Sequence, residues 1–277
     1  MNKAIIKLLN KYQQPNKNLH GIEIIKAEIP VFEEEVHLCI TVEDGQATLA
    51  DIVPLARAIT DRLCAVALDI LSENGQCVSC QKGCHACCNY LVPLSFSEVF
   101  QLRKELSAEH ANYRNTILHR CIDSTRKILE SGFTKKLQCS STNNFYELSR
   151  LNEWYAELNI SCPFLQDGSC TMYEQRPLAC REHSAIGNPD ICKSTPEYNP
   201  EVVPASVSIL EALGQLNAEL NGSNIEAVIL PLALTLPEDY FGDSTDSWPA
   251  STMVRRFIDI IKMMALHREP IAHTESM

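Results

Sequence analysis

Two groups of cysteines carry the chemistry that this sequence can offer. Cys80, Cys84, Cys87 and Cys88 stand in the run Cys-Gln-Lys-Gly-Cys-His-Ala-Cys-Cys, and Cys162, Cys170, Cys180 and Cys192 follow far downstream. Thiolate sulfur is the soft ligand that zinc, copper(I) and iron–sulfur clusters prefer. Four closely spaced thiols and four more read first as a thiolate metal region. Four thiolates on Zn²⁺ leave a local charge of about −2, which is costly to bury without compensation. Lys82, Arg181 and Lys193 stand beside candidate ligands, and Arg176 lies nearby. Lys82, Arg176 and Arg181 are therefore expected to donate toward sulfur or a bound cluster. Solvated surface cations are the competing reading. Gly83 lets the first loop take positive φ, so that backbone N–H groups can face sulfur.

Other residues in and near these loops have simpler readings. His85 and His183 are expected to be polar neighbours rather than ligands, with His183 the better placed to exchange a proton. Cys77 forms a Cys-x-x-Cys pair with Cys80 and could replace one ligand or act as a redox thiol. Cys39, Cys64, Cys121 and Cys139 occur singly and read as inert packing thiols. The spacing of Cys80, Cys84 and Cys87 also matches radical S-adenosylmethionine enzymes. Cys88 and the second group exceed what such a site needs, and no glycine-rich cofactor motif follows. A phosphate loop, a Gly-x-Ser-x-Gly elbow and a His-Glu-x-x-His helix are all absent. Glu33-Glu34-Glu35 reads as a solvated acidic turn.

The cysteine motifs resemble a known family. Both Cys80–Cys88 and the run Cys162-Pro-Phe-Leu-Gln-Asp-Gly-Ser-Cys170-Thr-Met-Tyr-Glu-Gln-Arg-Pro-Leu-Ala-Cys180-Arg look like those of the YkgJ-type cysteine-cluster proteins, a zinc- or iron-chelating domain family. The resemblance spans about Cys77 to Lys193. A similar cysteine pattern occurs in flagellin lysine N-methylases. The resemblance implies metal or iron–sulfur binding by Cys80, Cys84, Cys87, Cys88, Cys162, Cys170 and Cys180, with Cys192 as an eighth ligand. It names no reaction.

The whole chain sets the context for that region. Its 277 residues are enough for a core without staples, and 45% apolar with 21% charged residues is ordinary globular usage. Thirteen cysteines is an odd number, unlike a fully paired secreted framework. Lys3 and Lys7 interrupt the first apolar run, so no secretory core is read there. A reducing cytoplasm is the expected compartment, where clustered cysteines mean metal or redox chemistry. With 24 basic and 35 acidic residues the net charge is −11, which argues against a nucleic-acid partner. Lys135-Lys136 and Arg255-Arg256 are isolated pairs. The longest apolar stretch, Ile225 to Leu236, is broken by Glu226 and Pro231 and is too short to span a bilayer.

Elements around the loops must hold the thiols in place. Ile22 to Ile29 reads as a strand ended by Pro30, and Val36 to Val42 alternates as a half-buried strand does, with a turn at Asp44-Gly45. Helical spacing runs from Leu49 to Leu71 and stops at Asn74-Gly75. Ser95 and Glu98 form a capping-box pattern before a helix to Leu106, and another helix is expected through Ile117 to Leu129. Ser140 to Asn144 reads as a linker and Tyr146 to Leu158 as a helix. Asp167-Gly168 marks a tight turn. Pro204 to Leu220 and Trp248 to Leu266 close the chain as helices.

The expected fold is therefore α+β, mostly helical, with irregular cysteine-rich loops around a metal centre. Residues 1–75 form an α/β lead-in, 76–195 the cysteine-cluster domain and 196–277 a helical C-terminal region. The expected ligand is a 4Fe-4S cluster or Zn²⁺, with a protein substrate or redox partner and no membrane. An iron–sulfur protein with a redox or protein-modifying role, a zinc-stabilised interaction module and a metal-handling protein all remain open.

Overall fold

The structure is a computed structural model describing residues 4–10, 21–132, 145–188, 192 and 201–267. Cys139, Lys135, Lys136, Lys193, the 140–144 linker and the last ten residues lie outside them.

The lead-in folds as a hairpin because its two long strands alternate. β2 (Ile22–Val31) and β3 (Glu34–Glu43) turn Ile25, Ala27, Ile29 and Val31, with Val36, Leu38, Ile40 and Val42, to one buried face. A third strand, β1 (Ile6–Leu8), pairs with β3 opposite Val42–Ile40, giving the order β1-β3-β2. The expected stop at Pro30 does not occur, since Pro30 pairs with Glu35 inside the hairpin. β2 is an edge strand, where a missing N–H is tolerated.

Short β4 (Gln46–Thr48) leads into helix α1 (Leu49–Glu73). Asp51 accepts from the Thr48 N–H and hydroxyl at 3.0 and 2.9 Å, which fixes that helix start. The cysteine loop follows, and then β5 (Pro93–Ser95) and α2 (Phe96–Ala108), capped by Ser95 and Glu98 as expected. α3 (Ala111–Glu130) and α4 (Phe145–Glu157) complete the first helical group. Two-residue strands β6 (Leu165–Gln166) and β7 (Ser169–Cys170) form a small hairpin before the five-residue α5 (Leu178–Glu182). After α6 (Ile209–Asn221) come β8 (Ala227–Ile229), α7 (Leu230–Thr235), β9 (Ser247–Pro249) and α8 (Ala250–His267).

The helix expected from Pro204 starts instead at Ile209. Ser208 is its cap, accepting from the Glu211 N–H at 3.2 Å. Trp248, expected in the last helix, belongs to β9, where it pairs with Ala47. The apolar Ile225–Leu236 stretch splits into β8 and α7, with Pro231 in the first turn. No described helix is long and apolar enough to cross a membrane.

The molecule is α+β and mostly helical, built around two apolar cores. One joins the hairpin and α1 to α6 and α8, through Ile29, Ile40, Ile52, Ile59, Leu213 and Phe257. Residues from both ends of the chain therefore share a core. The other gathers α2, α3, α4 and α7 through Val99, Leu102, Ile117, Ile128, Trp154 and Leu232. Phe257→Ala empties a site with no solvent exposure and should cost about 3–5 kcal/mol. Urea unfolding should show the hairpin and α8 lost together. A loss under about 1 kcal/mol would mean that the shared core is not packed in this way.

Candidate metal centre

The first cysteine run is held by turns. Cys84 N–H donates to the Gln81 carbonyl at 2.9 Å, Cys88 N–H to that of His85 at 3.0 Å and Tyr90 N–H to that of Cys87 at 3.0 Å. Gly83, at φ +96°, supplies the backbone conformation this tight path needs. The second run passes through the β6–β7 hairpin. Asp167 and Gly168 take φ of +49° and +73°, the positive pair of a type I′ turn. That hairpin places Cys170 opposite Leu165.

Several contacts bring the two runs together. Cys162 N–H donates to the Cys88 carbonyl at 2.7 Å. Ala185 N–H donates to Cys80 Sγ at 3.2 Å, and Val78 bridges to Ile186. The Tyr90 hydroxyl donates to the Cys192 carbonyl at 2.9 Å. The His85 ring lies 3.6 Å from where a Cβ on Gly168 would stand. Lys82 pairs with Glu174 at 3.0 Å and sits 5.3 Å above the Tyr173 ring, on which Arg176 also stacks at 4.3 Å. The Lys82 pair is largely exposed and adds little stability.

Helix α5 carries Cys180 and is tied to three other helices. Leu178 is fully buried in the first core. Its N–H donates to Glu98 Oε1 on α2 at 2.8 Å, while Glu98 Oε2 accepts from the Ser95 N–H and hydroxyl at 3.2 Å. Arg181 reaches both carboxylate oxygens of Asp61 on α1, at 2.5 and 2.6 Å, and donates to the Arg176 and Glu174 carbonyls. Glu182 accepts from the Leu210 N–H at 2.9 Å and the Ser208 hydroxyl at 3.0 Å, at the start of α6. Arg181 was expected to donate toward sulfur; these donors go to oxygen and clamp the helix. On the other side, Arg120 of α3 donates to the Pro163 and Leu165 carbonyls at 3.1 and 3.2 Å, holding the Cys162 loop.

Burial sets the state of the thiols. It pushes Cys87, Cys88 and Cys162 up to about 12, and neighbouring cysteines push the same way. For Cys87 those neighbours are Cys88, Cys80, Cys84 and Cys192. For Cys88 they are Cys162, Cys170 and Cys84. Cys180 is also raised, by burial first and then by Cys162, Cys87, Cys88 and Cys170. Burial raises Cys192 as well, before Cys80 and Cys84 add to it. Cys80, Cys84 and Cys170 thus stand among the neighbours that raise the buried thiols. Among the described residues, no three His, Cys, Asp or Glu side chains already form a group that could hold a metal ion.

The donor set nonetheless suits a soft metal or cluster. Its thiols are soft ligands, and three nearby polar atoms are buried without a hydrogen-bond partner: His183 Nε2, Asn89 Oδ1 and Arg176 Nε. Each such atom costs roughly 1–3 kcal/mol unless something satisfies it. His183 is held neutral by burial and packs edge-on to Tyr90 at 5.7 Å between ring centroids. Among the single cysteines, Cys121 is buried and lies within electrostatic reach of Cys162, Cys64 hydrogen-bonds to the Arg181 carbonyl at 3.6 Å, and Cys39 lies on β3. Cys77 is exposed, and its carbonyl accepts from the Gly187 N–H at 2.7 Å.

Residues 79–204 match the family model CxxCxxCC, described as a "putative zinc- or iron-chelating domain". Both cysteine loops lie inside it, whereas the hairpin lead-in and the closing helices lie outside. No curated protein and no solved structure matches the chain.

Glu98 was visible in the sequence only as a cap. Its contact with Leu178 joins residues 80 positions apart, and no local pattern shows such a pairing. Asp61, Tyr90 and Asn89 were missed for the same reason, since each lies outside the cysteine spacing.

Burial pushes Glu98 up to about 7, against hydrogen bonds from Leu178 and Ser95 that pull it down. A raised carboxyl favours the folded state when protonated, so this contribution is complete below about pH 4.5 and is lost as pH rises through about 7. The stability difference between wild type and Glu98→Gln should shift against wild type by roughly 3 kcal/mol across that window in urea titrations. Parallel curves would show that Glu98 does not titrate there. Protonated thiols must also lose their protons to bind metal. Zn²⁺ affinity should therefore rise steeply with pH between about 6 and 8, with proton release measurable in buffers of different ionisation heat. A pH-independent affinity would rule out these thiols as ligands.

Proposed function

We propose that this chain binds metal through the thiolates of Cys80, Cys84, Cys87, Cys88, Cys162, Cys170, Cys180 and Cys192, with an iron–sulfur cluster as the first occupant to test and Zn²⁺ as the second. The observation that carries this reading is the contact between the two cysteine loops, where the Cys162 N–H donates to the Cys88 carbonyl, the Ala185 N–H donates to Cys80 Sγ, and Cys80 and Cys84 pack with Cys192. Inert packing cysteines have no need to gather, and gathering raises the cost of ionising each one. The zinc- or iron-chelating family gives the same direction.

A bound cluster would supply one-electron chemistry, and zinc would supply a cross-link. The chain's own residues position the donors. Glu98, Asp61 and Glu182 hold the helix of Cys180, Arg120 holds the loop of Cys162 and Tyr90 holds Cys192. The orphaned Arg176 N–H is the donor best suited to a bound sulfur, since it is buried and unspent at Nε. A redox or protein-modifying role in a reducing cytoplasm accords with this chemistry. A cleft of about 640 Å³ lined by Thr48, Phe100, Arg103, Lys104 and Ser247 has no cysteine in its wall, so it offers no small-molecule site beside the thiols. The zinc-stabilised module has its own support, because Cys162 and Cys170 pack directly against the second core.

Anaerobically purified chain should carry iron and acid-labile sulfide in equal amounts and absorb in the visible. Cys162→Ser should lose most of both and become protease-sensitive in residues 76–89 and 161–188. Stoichiometric zinc without sulfide would replace the iron–sulfur reading with the zinc one. A chain that takes up neither, with all thiols still reactive, would overturn the proposal.

A further inference from the structure

The outer edge of β2 has bonding groups to spare, and the ladder shows which residues carry them. The Glu43 N–H donates to the Ile5 carbonyl at 3.0 Å and the Leu9 N–H to that of Cys39 at 2.8 Å, so the odd-numbered residues of β3 bond toward β1. Its even-numbered residues therefore bond toward β2. The Asp44 N–H, on the Gly21 carbonyl at 2.8 Å, continues that pattern. Through the register Val36 with Ile29, Leu38 with Ala27 and Ile40 with Ile25, the odd residues of β2 bond to β3 and the even ones face outward. Among the described residues, the outward N–H groups of Ile24, Lys26 and Glu28 donate to nothing. Pro30 is also an outward position, so its missing N–H costs no bond within the hairpin. The free edge ends at the turn, where the Phe32 N–H donates to the Ser206 hydroxyl at 3.4 Å.

We propose that this edge pairs with β2 of a second copy, antiparallel about a two-fold axis at Ala27, so that two three-stranded sheets join into one. This interface lies outside the family match and does not rest on the metal-binding reading.

The side chains select both the occupant and the register. Ile24, Lys26 and Glu28 are exposed and share one face of the strand with Pro30. With the axis at Ala27, Lys26 stands opposite the partner's Glu28, Glu28 opposite the partner's Lys26 and Ile24 opposite the partner's Pro30. Opposite charges and apolar groups then meet at every exposed pair. The backbone closes in the same register. The Ile24 N–H reaches the carbonyl of the partner's Pro30, the Lys26 N–H that of the partner's Glu28 and the Glu28 N–H that of the partner's Lys26. An axis at Lys26 or at Glu28 would set like charges against each other. An axis at Ile25 would put Glu28 opposite Ile22. Both charged groups have capacity left. Glu28 meets His37 through Oε1 at 3.1 Å, which leaves its other oxygen for a lysine, and Lys26 has no ion pair among the described residues. Lysine and proline on an edge ordinarily discourage pairing. In this register each has a partner that suits it.

The test is sedimentation of the full-length chain under reducing conditions, which exclude disulfide cross-links. Wild type should reach twice the 31.0 kDa chain mass as concentration rises. Exchange of the Ile24, Lys26 and Glu28 amides should slow over the same range. Lys26→Glu and Glu28→Lys each place like charges opposite one another at both symmetry-related positions, and each should weaken the dimer about tenfold or more. The double variant Lys26→Glu with Glu28→Lys restores the opposite pairs and should restore the dimer. Circular dichroism establishes that each variant is folded, and the wild-type measurements stand without any variant. A wild-type chain still monomeric at about 100 μM, where an interface of micromolar affinity is nearly saturated, overturns the proposal and leaves Lys26 and Pro30 as guards of the edge. A dimer in which the three amides exchange freely also overturns it, as does a folded double variant that associates no better than the single ones.

Discussion

Everything about the cysteine region depends on how a five-residue helix is held. An isolated helix of that length has no stability of its own, because nucleation costs more than one turn returns. α5 exists because Leu178 is buried in the first core and polar partners on α1, α2 and α6 restrain its backbone and side chains. Glu98 is central, since one carboxylate caps α2 and receives the first N–H of α5. Cys180 therefore sits on a rigid support, although the sequence around it is loop. Arg120 gives the Cys162 loop a comparable anchor from α3.

That support has an electrostatic consequence. The chain carries an excess of negative charge, and two of the cations nearest the thiols are already committed. Arg181 serves Asp61 and two carbonyls, and Lys82 serves Glu174. Burial then holds the thiols protonated, with mutual repulsion adding to the effect. Only a cation brought in from outside could make several of them ionise together. Buried orphan atoms on His183, Asn89 and Arg176 lie in the same region, where Leu178 belongs to the first core and Cys162 and Cys170 pack against the second. A rigid frame around unclosed thiols suits a site completed by its ligand.

The arrangement also explains why the flanks matter. The lead-in hairpin and the closing helix share one core, and α1 reaches from it to Arg181. The residues that match the chelating family are thus braced by segments outside the match. Destabilising that core would loosen α5, because Leu178 is part of it.

Much of this was readable in the sequence where the signal is local. Cysteine spacing marked both loops, alternation marked β2 and β3, the Ser95–Glu98 pair marked α2 and Asp167-Gly168 marked the hairpin, because each depends on residues a few positions apart. Local signals misled at Pro30, which an edge strand tolerates, and at Pro204, where the cap four residues on decided the helix start. Tertiary structure alone decided which cysteines are neighbours, that Glu98 and Asp61 govern Cys180 and that Arg181 is spent on oxygen. Those outcomes join residues 80 to 120 positions apart, and the physical reason is that burial and charge act through space. Spacing along a chain can place donors on a loop, but only packing determines what surrounds them.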